Sequence, residues 1–234
     1  MMNQKLAAML RILTALIMAL AISIITLRLT TIFSIPEDGF IPSSFVTHTF
    51  MWFLSVVIIY ILTKGKIGEY GFTKGTFRLT PRIFLWALPT AILSVLSFIG
   101  SRLSGGVEEA NGLVYLQDIL FIWIYSSISE EIFTRGLLQS FLSPVTKYGF
   151  VLAKKWRISL PVLFSGFYFG AMHIVLVKRI GPAVLMVMTM AACLGIVAGY
   201  HREKTDSLIP AIIIHALFNI GGALPMWFLR WVIT

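Results

Sequence analysis

Residues 113–142, LVYLQDILFIWIYSSISEEIFTRGLLQSFL, decide how the chain is read. The first half is apolar enough to enter a bilayer, yet Glu130, Glu131 and Arg135 follow, where a spanning helix is expected to avoid charge. Facing lipid, an open strand or loop would leave backbone hydrogen bonds unmade, so the run must be helical. At about 100° of rotation per residue, Glu131 and Arg135 lie within roughly 40° of one another and form an i,i+4 ion pair. Glu130 is turned away from both and is left to address something else. Taken alone, these charges are also what the interfacial end of a span would carry.

Apolar runs recur at 6–27, 46–63, 83–100, 158–177, 180–200 and 207–220, with an amphipathic-to-apolar tail at 223–234. The expected fold is therefore all-α, a polytopic transmembrane bundle of about seven to eight spanning helices with a cavity inside it. The composition agrees: 58% of the 234 residues are hydrophobic and only 12% are charged. The net charge of +9 comes mostly from short loops between apolar runs, so it sets topology and implies no nucleic-acid partner. Lys5, the Lys64–Arg82 segment, the Lys147–Arg157 segment, and Arg202 with Lys204 share one side if the N-terminus is cytoplasmic; Lys178 and Arg179 run against this bias. The run at 6–27 is too long for a signal-peptide core and is followed by no A-x-A-like site, so it reads as a first span. The single cysteine, Cys193, excludes an internal disulfide and a cysteine-rich metal site, and it reads as a packing residue.

Two further clusters place polar groups in apolar helices: FGAMH, Phe169 to His173, and HALFN, His215 to Asn219. In each, the first and last residues are one turn apart on one face. Gly166 with Gly170, and Gly195 with Gly199, have the spacing that lets helices approach closely. Interhelical hydrogen bonding explains each histidine singly. A common cavity satisfies His173, His215, Asn219 and the unpaired Glu130 together.

A carboxylate and an imidazole sharing a water can take its proton and aim it at a carbonyl, which fits Glu130 and His173. An imidazole N–H and a carboxamide N–H₂ suit the oxyanion that then develops, which fits His215 and Asn219. No Gly-x-Ser-Gly element occurs, because position 163 is Leu. Of the three aspartates, Asp38 and Asp206 fall in loops, leaving Asp118 without an intramembrane partner. No HExxH helix is present. A zinc site built from Glu130, His173 and His215 stays open beside a water held by protein groups alone.

EEIFTR, FGAMH and HALFN resemble the EExxxR, FxxxH and HxxxN motifs of the CPBP intramembrane proteases. This is the CAAX protease and bacteriocin-processing (Abi) family, which includes the type II CAAX prenyl endopeptidases. The segment from Gly195 to Asn219 is also similar to the family's stretch between late helices. The resemblance covers about positions 115–222 and divides one membrane domain, 1–234, into N-terminal helices over 1–112 and a catalytic core over 113–222. It implies peptide-bond hydrolysis near the membrane surface, with Glu130 and His173 activating water and His215 and Asn219 stabilising the oxyanion. Glu131, Arg135 and Phe169 would be supporting residues, and zinc or no cofactor would be needed. The expected partners are the lipid bilayer and a membrane-associated or lipidated peptide or protein, in a multi-pass protein of a prokaryotic cell membrane. Two non-peptidase readings compete: an immunity or scaffolding protein of the same fold, and, less favoured because no inverted repeat is visible, a small transporter.

Overall fold

Apolar side chains that cannot all be buried in one small bundle dictate helices whose outer faces meet lipid and whose inner faces are narrow. A computed structural model describes residues 4–36, 39–79, 85, 88–96, 99, 115–152 and 156–233. Helix α1, Gln4–Ile32, buries Ala15, Ala19, Ile22 and Thr26 along one stripe and leaves Leu10, Leu13, Ile17 and Ile24 on the outside. Helix α2, Ser44–Thr63, does the same with Met51, Ser55, Ile59 and Thr63, four residues apart. It ends where Lys64 turns into the left-handed region at φ 52° and Gly65 N–H returns to Tyr60 O.

The helix formed by 115–141, here α3, lies in the middle. Its winding loosens to π turns over Asp118–Ser126 and Ile132–Gln139, with an α segment, Ser127–Glu131, between them. Every residue from Ile132 to Gln139 is buried, so this part of α3 has no lipid face. A two-stranded antiparallel hairpin follows, β1 Gly149–Leu152 paired with β2 Trp156–Ser159, with Gly149 opposite Ser159. This hairpin is a minor departure from the all-α expectation. It lies between the apolar runs, apart from its last two residues.

Helix α4, Leu160–Met172, starts at Ser159, whose hydroxyl accepts from Val162 N–H, with Pro161 in the first turn. The chain then breaks through a 3-10 turn at His173–Leu176, a short helical turn at Val177–Ile180 carrying Lys178 and Arg179, and a second 3-10 turn at Gly181–Ala183. Helix α5, Val184–Thr205, ends where Asp206 adopts φ 54°, and helix α6 runs over Ile209–Ile233.

Among the described residues three stretches, not seven or eight, are long and apolar enough to cross a membrane: Gln4–Ile32, Ser44–Thr63 and Leu160–Thr205. The difference has physical causes. Helix α4 has 13 residues, and at about 1.5 Å of rise each it falls short of a hydrocarbon core about 30 Å thick. The runs at 158–177 and 180–200 therefore join as one interrupted stretch of 46 residues. The tail at 223–234 continues α6 through Ile233 and adds no further span. Of the run at 83–100, residues 88–96 are helical, and most of the remainder lies outside the described residues.

The expected glycine contacts form between α4 and α5. A Cβ on Gly195 would lie 2.7 Å from Gly166 Cα, and one on Gly170 would lie 2.5 Å from Met188 O. Cys193, expected to pack, instead sits exposed. Gly166→Leu should cost about 1–3 kcal/mol of stability through overpacking against backbone and lower the melting temperature in detergent. Gly68→Ala, which meets nothing within 4 Å, should leave it unchanged.

Candidate functional site

The site is built outward from α3. Glu131 and Arg135, each with a fully buried side chain, form the expected pair, with Arg135 Nη1 donating to Glu131 Oε1 at 2.8 Å. Beneath the guanidinium lies the Phe169 ring, its centroid 4.6 Å from Cζ. Arg135 Nε and Nη2 have no hydrogen-bond partner among the described residues, so this aromatic face is part of what holds the charge in a dry interior. Phe169 is itself fully buried and meets His173 and His215 edge to face, with centroids 5.0 and 5.2 Å away. One ring thus supports the arginine and both late histidines.

Glu131 Oε1 also faces His215 Nδ1 at 2.9 Å. A carboxylate oxygen already accepting from arginine can only accept again, so His215 carries a proton on Nδ1. Its other nitrogen, Nε2, lies 3.4 Å from Glu130 Oε2. His173 is fixed in a complementary way. Its Nδ1 donates to Phe169 O at 2.8 Å, one turn back in α4, and a neutral ring then keeps its acceptor on Nε2.

Glu130, His173, His215 and Asn219 all line one cavity of about 1000 Å³, bounded by α1, α2, α3, α4, α5, α6 and the 173–180 break. The structure therefore brings the four predicted residues to a common space. Apolar residues such as Leu20, Leu27, Met51 and Phe218 make up much of the wall, and Ser23, Thr30 and Thr47 line part of it. Asn219 is placed differently from the expectation of a free oxyanion donor. Its Nδ2 donates to Ile122 O at 3.0 Å and to Ser127 Oγ at 3.1 Å, so both amide hydrogens are spent tying α6 to α3.

His48, on α2, belongs to the cluster and was not among the predicted residues: Nε2 lies 3.2 Å from Glu130 Oε1. The rule that flags ionisable residues inside apolar runs, applied to 46–63, singles it out. The set Glu130, His173 and His215 does not form a metal site in this geometry. His215 Nδ1 is taken by Glu131, and among the described residues no group of three His, Cys, Asp or Glu side chains converges to hold an ion. The cavity receives one carboxylate, Glu130, and three imidazoles, those of His48, His173 and His215, all groups that can exchange protons.

Residues 111–221 match the family model described as Type II CAAX prenyl endopeptidase Rce1-like. No curated protein and no solved structure matches the chain. The matched interval contains EEIFTR, FGAMH and HALFN, and His48 lies outside it.

Arg135→Met should destabilise the protein by about 3–5 kcal/mol, because it leaves the Glu131 charge buried and unpaired. Adding Glu131→Gln, which removes that charge and keeps an acceptor for His215, should recover part of the loss in thermal unfolding. Additive losses would show that the ion pair does not couple the two positions.

Proposed function

We propose that the chain, whose residues 111–221 match the Type II CAAX prenyl endopeptidase Rce1-like model, is an intramembrane endopeptidase of the CAAX protease (CPBP) family. It would hydrolyse a peptide bond in a membrane-associated or lipidated peptide by attack of a water activated at Glu130. Glu130 takes one proton from that water while the acceptor nitrogen of His173 orients it. The oxygen attacks the scissile carbonyl, and the proton held at Glu130 passes to the departing amine as the C–N bond breaks. His215 stabilises the oxyanion through an Nε2 proton offered to the carbonyl oxygen in place of the contact with Glu130. Asn219 can join it only by releasing Ser127, so its first role is to hold α6 in place.

The observation that carries this reading is the Glu130 carboxylate, with only 12% of its side chain exposed, facing a cavity that also receives His173 and His215. Mostly apolar walls around a small polar floor suit a substrate with a greasy tail or helix and a reactive amide. The bias of Lys and Arg supports access from the cytoplasmic side, with the N-terminus on that side. A non-enzymatic immunity or scaffolding role has one observation in its favour: much of the polar cluster, including the Glu131–His215 contact and Asn219, joins helices to one another.

Purified Glu130→Ala and His173→Ala variants should each lose about 10²–10⁴-fold in cleavage of a lipidated test peptide and keep the wild-type melting temperature. Retained turnover in both would reject the assignment. A loss of stability in step with function, with no peptide product from the wild type, would favour the scaffolding role.

A further inference from the structure

We infer that His48 is a positioning residue for Glu130, supplied by the N-terminal half of the chain; the inference rests on the endopeptidase reading above. His48 Nε2 lies 3.2 Å from Glu130 Oε1, and both side chains are 12% exposed. An ionised carboxylate oxygen only accepts, so His48 donates from Nε2, and a neutral ring then has its lone pair on Nδ1. That Nδ1 is buried with no hydrogen-bond partner among the described residues. A histidine serving only to tie α2 to α3 would gain nothing from a second nitrogen left unmatched.

The tie between those helices is already made one residue further along. Thr49 Oγ1 meets Tyr125 OH at 2.6 Å, and Trp52 Nε1 donates to the same oxygen at 2.8 Å. Tyr125 in turn stands edge-on to the His48 ring, with centroids 6.4 Å apart. This contact limits how the imidazole can turn.

The consequence for Glu130 is geometric. Its Oε1 is taken by His48 on one side, and its Oε2 faces His215 on the other. Held at both oxygens, the carboxylate keeps one orientation, and its remaining lone pairs are presented to the cavity. Without His48 it can rotate fully onto His215, where it no longer presents a base to water. His48 lies outside the matched interval, so α2 completes a site whose motifs lie in α3, α4 and α6.

The test compares His48→Met, which keeps bulk and lacks a donor, with His48→Gln, whose amide can donate from a similar reach. On an internally quenched farnesylated peptide, His48→Met should lower kcat about tenfold or more with KM and melting temperature little changed, and His48→Gln should restore most of kcat. Infrared difference spectra between each protein and its Glu130→Gln counterpart isolate the Glu130 carboxylate stretch. That band should shift in His48→Met and return in His48→Gln. A wild-type kcat in His48→Met, or a carboxylate band unmoved by it, overturns the inference. If the wild-type protein leaves the peptide intact, the endopeptidase reading fails, and the infrared comparison alone decides the His48 contact.

Discussion

The molecule depends on an ion pair with no access to solvent. Arg135 and Glu131 bury a full positive and a full negative charge in the central helix, and such burial is tolerated only when each charge is matched and its remaining surface is occupied. Here the carboxylate is shared with His215 and the guanidinium lies on Phe169. Both partners come from helices late in the chain, so the pair fixes α4 and α6 against α3. That placement brings His173 and His215 toward Glu130.

Helix α3 makes polar contact with each of α1, α2, α4, α5 and α6. Arg11 of α1 donates to Phe141 O, α2 reaches it through His48 and Thr49, and Ser165 of α4 donates to Gln139 Oε1. Gln139 donates to Gly199 O of α5, and Asn219 of α6 donates to Ile122 O. Its π turns belong to this role. An i+5 winding shifts side chains around the axis and is a recurrent feature of functional sites. Ile122 O, within one such segment, accepts from both Ser126 and Asn219.

Much of the site was legible because helical spacing is local. Glu131 and Arg135 meet as the wheel argument requires, the glycines at 166 and 195 mark a true close approach, and the three motifs line one cavity. What escaped depends on tertiary placement. His48 meets Glu130 across 82 positions, a pairing no period announces. The commitment of the Asn219 amide depends on the winding of α3, and the number of spans on how α4 and α5 are joined across the break at 173–183. Gly181 and Pro182, visible in that break, were the available signal that the two runs are not simple separate crossings.

A buried, pre-paired scaffold beside a second carboxylate that faces the cavity divides the polar groups between two tasks. The charges that cost most to bury are neutralised within the scaffold, and under the proposed endopeptidase reading Glu130 is the group left to act on water. The most direct measurement of this account is an experimental structure in lipid at a resolution that shows ordered water. The account predicts a water within hydrogen-bonding reach of both the Glu130 carboxylate and His173 Nε2. A dry cavity, or Glu130 turned away from His173 onto other protein groups, would contradict it.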